Sequence, residues 1–317
     1  MPARTQHRSR TAWVVILPLI AATLAGACNR DAGPPPISDA DYQAAYQKFL
    51  AVRSAQLVTA GKPVSFTGLH WLKQGVSSIG SDSTSGVVLV GHNVPANIGT
   101  LTRDGMTVRF DPLPGAGVMV DSAPATARVL VSDSATKPSK VTIGSAGFWI
   151  VKRVDSIGVR TWDADRPAIQ AFAPLEYFKT DMAWRLGAKF TKRAKPDTQA
   201  VATSLGVAEE YIDVGRLALK VDGKPYDMVA YAGNDPTDLF ITFSDVTSGE
   251  ETYGFRFMHA VLDTMTNVAT VDFNKAFNPD CAFSAYTTCP LPPANNRLAT
   301  RVEAGEKVLK HSADAKP

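Results

Sequence analysis

Residues 244–254, reading SDVTSGEETYG, gather Asp245, Glu250, Glu251 and Tyr253 around Thr247, Ser248 and Thr252. Carboxylates and a phenol held in one turn are the groups that general acid–base chemistry uses. Asp245 or Glu251 would act as base, and a neighbouring acid or Tyr253 as proton donor, the paired-carboxylate logic of glycoside cleavage. The same groups could instead converge on a polar ligand. They also belong at any solvated hairpin end, where Asp, Ser and Gly serve turn geometry alone. Arg256 has the opposite strand parity to Tyr253, Phe255 and Phe257 and so is expected to face away from them, towards partners of its own.

Two further polar groups stand elsewhere in the chain. In VDFNKAFNPDC, Asp272 and Asn274 are expected on one strand face with Phe273 on the other, and Asn278-Pro279 ends the strand. Aspartate, asparagine and backbone carbonyls could hold calcium, but the spacing matches no calcium loop, and asparagines bracing irregular backbone are commoner. No metal and no cofactor is assigned. Earlier, GFWIVKRVDSIGVRTWD places Arg153 in parity with Trp149 and Val151, and Arg160 in parity with Trp162, next to Asp163. Arginine recognises carboxylate or phosphate with a planar fork, and aromatic neighbours suit sugars or flat ligands. Each arginine could equally pair internally with Asp163, Asp245 or Glu251.

Cys281 and Cys289 lie in CAFSAYTTCPLPPANNRL. In an oxidising compartment a close pair is expected to be a disulfide, and closing so short a loop contributes roughly 2.6 kcal/mol in the chain-entropy model. Redox catalysis generally uses C-x-x-C, which is absent, and a metal site would want more Cys or His nearby. The bridge, with Pro290, Pro292 and Pro293, is expected to stiffen a wall presenting Asn274, Asn278, Asn295 and Asn296 beside the acidic turn. The chain has no G-x-S-x-G, no H-E-x-x-H and no Gly-rich phosphate loop. His70, His92 and His259 each stand alone in the sequence, as structural histidines usually do.

The elements that must position these groups are mostly strands. Ser38 with Asp41 three residues on forms a helix start, and Tyr42, Tyr46, Phe49 and Val52 follow at helical spacing. From Val64, short β-prone runs bounded by Gly, Asp, Asn or Pro succeed one another, and VDGK marks a tight hairpin. The expected fold is mainly β: two antiparallel sandwich or barrel units preceded by one N-terminal helix. The expected divisions are a signal peptide (1–27), a tether (28–37), the helix (38–62), a β-sandwich (63–170), a β-rich unit carrying the polar blocks (171–308) and a tail (309–317).

The address follows from the first residues. Arg4, Arg8 and Arg10 precede an apolar run, 12–25, and small residues lead to Cys28. That is the pattern of a secretory signal, too short to span a bilayer. LAGAC resembles the bacterial lipobox, with Leu24 four residues before the cysteine where three is usual. The resemblance implies lipidation of Cys28, anchoring in the cell envelope and, with Asn29 next, the outer membrane of a Gram-negative cell. NRDAGPPPIS then reads as a stiff polar tether. Of 33 basic and 30 acidic residues, the three signal arginines supply the whole excess. The remainder is balanced, so nucleic-acid binding is not expected.

Two resemblances add to this. GVSSIGSDSTSGVVLV with GTLTRDGMTVRF resembles the opening strands of a forkhead-associated sandwich, but lacks that family's phosphothreonine-reading residues, so only the fold is implied. GFWIVKR, GVRTWD, FSDVTSGEETYGFRF, DFNKAFNPDCAFSAYTTCPLPPANNRL and EAGEK, in that order, resemble the bacterial family of unknown function numbered 1684 over residues 40–308. That resemblance marks the polar blocks as its signature and implies no activity. Two functions are therefore expected: an envelope-anchored module binding a polar or anionic small molecule, a glycan, a peptidoglycan fragment or an envelope protein, or a hydrolase using paired carboxylates.

Overall fold

The computed structural model describes residues 33–309 together with Met1 and Ala3, so Cys28, nearly all of the expected signal segment and residues 310–317 lie outside the described residues. From Gly33 onward the described residues form one compact unit. Helix α1 (Asp39–Val58) begins as its sequence dictates, with the Asp41 amide donating to Ser38 Oγ at 3.1 Å. Its buried stripe is Tyr42, Tyr46, Arg53 and Leu57, while Val52 is 48% exposed. These four positions share one face at helical periodicity and Val52 does not. A charge sits in that stripe because it meets a buried carboxylate from the far end of the chain.

The next eleven strands make a sandwich. They are β1 (Phe66–Trp71), β2 (Gly75–Gly80), β3 (Val87–Val88), β4 (Gly99–Asp104), β5 (Thr107–Pro112), β6 (Met119–Val120), β7 (Ala123–Pro124), β8 (Arg128–Val129), β9 (Val141–Ile143), β10 (Ala146–Lys152) and β11 (Ile157–Asp163). One sheet has the order β1-β11-β10-β9-β6-β7 and the other β3-β2-β4-β5-β8. All pairings are antiparallel except β2 with β3. Alternation sets the faces: Val108 and Phe110 of β5 point inward with Phe148 and Ile150 of β10, and the Phe110 and Phe148 rings meet edge to face at 5.7 Å. Each fully buried ring contributes roughly 1.5–3 kcal/mol. Trp149 pairs across the ladder with Arg160, and Gly147 with Trp162. These residues stand on the outer face of that sheet. A Cβ on Gly147 would lie 2.0 Å from Trp162, so glycine there is what lets the indole lie flat.

Strands β12 (Arg185–Ala202), β13 (Ala208–Val221), β14 (Lys224–Ala232), β15 (Asp238–Phe243), β16 (Arg256–Asp263) and β17 (Val268–Asp272) close into a barrel, with β17 pairing back onto β12. The Asp222-Gly223 turn has φ of 50° and 74°, the two left-handed positions that a two-residue hairpin needs. Leu217, Met228, Ile241, Phe243, Met258, Val271 and Phe273 fill the interior. The seam is β14 against β15, whose register has just the two pairs Tyr231↔Phe240 and Ala232↔Leu239, extended by the Gly233 amide donating to Asp238 O at 3.0 Å. Asn296 braces it: its Oδ1 accepts from Val229 N at 2.7 Å and its Nδ2 donates to Val229 O and Thr242 O at 3.0 and 2.9 Å. One helix and two β units thus stand in the order the sequence predicts. No helix among the described residues is long and apolar enough to cross a membrane.

Candidate functional site

The acidic turn is a brace. Phe243 and Arg256 are register partners where β15 meets β16, which lays the Arg256 guanidinium 5.0 Å from the Phe243 ring inside the protein. Its Nη2 donates to Asp245 and to Val302 O (3.1 Å), and its Nη1 to Ala304 O. Both side chains of the ion pair are fully buried. Asp245 is further occupied by the Thr247 amide and hydroxyl, each at 2.7 Å. Burial holds the Arg256 pKa below the ordinary arginine value, with Asp245 acting against that shift. Glu251 lies elsewhere, at the surface in an ion pair with Arg301. Tyr253 OH donates to the Cys281 carbonyl, at 3.5 Å. The two carboxylates proposed for acid–base work are therefore each bound to an arginine, and they do not face each other across a cleft.

The asparagine wall is likewise engaged within the fold, although the buried Asn278 Oδ1 has no hydrogen-bond partner among the described residues. Asn274 lies in a helical turn just after β17, not on the strand. It exchanges hydrogen bonds with the Asp181 backbone at 3.1 and 2.9 Å and donates to Asp272 Oδ1 at 3.1 Å. Asp272 also accepts from Tyr42 OH of α1 at 3.3 Å. The Asn278 amide donates to Glu306 at 2.8 Å, and its side chain to Lys307 O at 2.8 Å. Glu306, fully buried, takes Arg53 Nε at 2.6 Å, and Arg53 Nη2 reaches Asn278 O at 2.7 Å. The charge in the helix stripe thus meets its partner 253 residues away.

The expected disulfide is corrected: Cys281 and Cys289 are free thiols. They are neighbours all the same, with the Cys281 amide donating to Cys289 Sγ at 3.1 Å. The loop keeps its shape through contacts to other segments. Ser204 N donates to Cys289 O at 2.9 Å, Leu291 N to Ala202 O at 2.9 Å, and Cys289 packs with Phe255 and Phe257. A hydrogen bond from Cys289 lowers the Cys281 pKa, whereas burial raises that of Cys289.

Both arginines of the sandwich hairpin meet this loop. Arg153 is saturated, donating to Thr288 Oγ1 (2.8 Å), Asp133 Oδ2 (3.0 Å) and Lys152 O (2.7 Å), with Glu209 at 3.2 Å. Arg160 is not. It is 8% exposed, its Nε donates to Tyr286 O at 2.8 Å, and its buried Nη2 has no partner. Among the described residues no carboxylate lies within ion-pair distance of it. Its guanidinium rests 5.2 Å from the Phe66 ring and 5.9 Å from Trp149. Burial, and then repulsion from Arg153, brings its pKa down to about 10, so it remains charged at neutral pH. Asp163, predicted beside it, turns instead to accept from the Asp165 amide at 3.0 Å.

Arg160 lines a cleft of about 400 Å3 on the outer face of the β10–β11 hairpin. The segment after α1 supplies Gly61, Lys62 and Pro63, the loop before β9 supplies Pro138 and Lys140, and Asp280 comes from the segment that follows the barrel. Phe66 and Trp149 form an apolar wall. Lys62, Lys140 and Asp280 escaped the sequence reading because nothing local marks them. The parity of each arginine with a tryptophan was the one legible sign, although it grouped Trp149 with Arg153, and the ladder instead sets Trp149 opposite Arg160. Among the described residues no group of His, Cys, Asp and Glu is arranged to hold a metal ion.

Residues 170–307 match the family of proteins of unknown function DUF1684. Among solved structures, an uncharacterized protein of Haloarcula marismortui determined by solution NMR is 33% identical, over 46% of this chain and 83% of that one, with a TM-score of 0.39. No curated protein matches the chain. The DUF1684 segment starts at Gln170, well after the position 40 that the sequence resemblance implied, and takes in the barrel and its closing segment. Asp245, Arg256, Asn274, Asn278, Asn296 and Glu306 all fall inside it, and each is spent on holding the fold. Arg153 and Arg160 lie outside the DUF1684 segment.

Proposed function

We propose that the protein is a lipid-anchored cell-envelope binding module that captures a small anionic ligand in the cleft around Arg160. The observation that carries the reading is a buried guanidinium lacking a carboxylate partner beside an open cleft, with Lys62 and Lys140 also lining it. Desolvating a charge without pairing it is costly, and an anionic ligand would supply the missing partner with fork geometry. The anchor rests on the basic head, the apolar run and Cys28. The hydrolase reading draws no support from the burial and ion pairing of Asp245. In a thermal-shift screen of small anions, at least one anion should raise the Tm of the wild-type protein and leave Arg160→Met unmoved. An equal response from both proteins removes Arg160 from the site. Cys28→Ser should shift the protein from the membrane to the soluble fraction of cells.

A further inference from the structure

Resting on that reading, we infer that the cleft takes a singly charged carboxylate carried on a flat apolar body, and not phosphate. The charged side chains lining it are Lys62, Lys140 and Arg160 against Asp133 and Asp280, a net of one positive charge. Asp133 is itself held by Arg153, but Arg153 is shared with Glu209, so counting that outer cluster leaves the same net charge. A phosphate dianion would bring a second negative charge up to two carboxylates. A single guanidinium fork matches a planar carboxylate.

The walls argue for the body. Trp149 is half-buried, with its ring 5.5 Å from Phe66 and 4.9 Å from Trp162, and Phe66, Pro63 and Pro138 continue the apolar surface. At about 400 Å3 the cleft has far more room than a bare carboxylate needs, and pockets in this range hold ligands of ring size and larger. Arg160 already lies over Phe66 and Trp149. A ligand that meets the guanidinium edge with its carboxylate therefore sets its own apolar portion along the same rings.

The test uses the purified full chain and four probes: cinnamate, the neutral cinnamamide, acetate and inorganic phosphate, with binding followed by ligand-observed NMR and calorimetry. Cinnamate is expected to bind at least about tenfold more tightly than each of the others. Arg160→Lys, which keeps the charge and loses the fork, should weaken cinnamate about tenfold or more, and Trp149→Leu should bring cinnamate down to the level of acetate. If phosphate or acetate equals cinnamate, the apolar carboxylate is wrong and the anion site stands. If cinnamamide equals cinnamate, or no probe binds, both readings fall. The probe panel on the wild-type chain decides the matter even if a variant does not fold.

Discussion

Replacing Arg256 and Arg160 separately by methionine should give opposite outcomes for stability, although both are buried arginines that lie over aromatic rings. Arg256→Met leaves the fully buried Asp245 carboxylate without its cation and strips donors from Ala304 O and Val302 O. Breaking such a pair costs roughly 3–5 kcal/mol. At roughly 2–4 °C per kcal/mol for a large domain, Tm should fall by about 6–20 °C. Arg160→Met removes one hydrogen bond to Tyr286 O, a loss of roughly 1.5–3 kcal/mol. It also relieves an unpaired charge whose pKa has been brought down to about 10, a relief of roughly 3 kcal/mol. The two nearly cancel, so Tm should stay within about 3 °C of wild type or rise. Scanning calorimetry of both variants at neutral pH and moderate salt makes the comparison. A fall for Arg160→Met as large as that for Arg256→Met would show that Arg160 is a brace like the others, and the argument for a binding cleft would collapse.

Asn296→Ala should destabilise by roughly 2–4 kcal/mol, because it strands the buried Val229 amide at the weak barrel seam; hydrogen exchange should quicken first in β14 and β15. Burial raises the Glu209 pKa above its unfolded value, so the folded state binds the extra proton and stability falls as pH rises from the unfolded towards the folded pKa. Urea titrations across the acid range should show that fall reduced in Glu209→Gln. In reduced protein, iodoacetamide should modify Cys281 well before Cys289, which is 2% exposed, as peptide mass spectrometry would show.

Much of the architecture could be read from local pattern. Ser38 capped its helix, Asp222-Gly223 turned its hairpin, and the alternation through Leu239, Ile241 and Phe243 put those side chains in the barrel core. The polar blocks could be noticed but not interpreted. Asp245 with Arg256, and Asn296 with Val229 and Thr242, look in sequence like groups awaiting a ligand, because their partners are backbone atoms of distant segments. Arg53 falls in the helix stripe for the same reason: only the folded chain brings Glu306 to it. The cleft was least legible of all, since Lys62, Lys140, Arg160 and Asp280 come from separate stretches and share no spacing.

The short segment from Val302 to Glu306 completes two buried clusters at once. Its carbonyls receive Arg256, and its glutamate receives Arg53 and the Asn278 amide. A chain synthesised from its amino end makes these five residues after both the helix and the barrel strands, so the two must wait, with their buried cations still bathed in water, until the keystone arrives. Nascent chains halted before residue 302 should therefore be digested readily by protease, and extension past residue 306 should confer resistance in a single step.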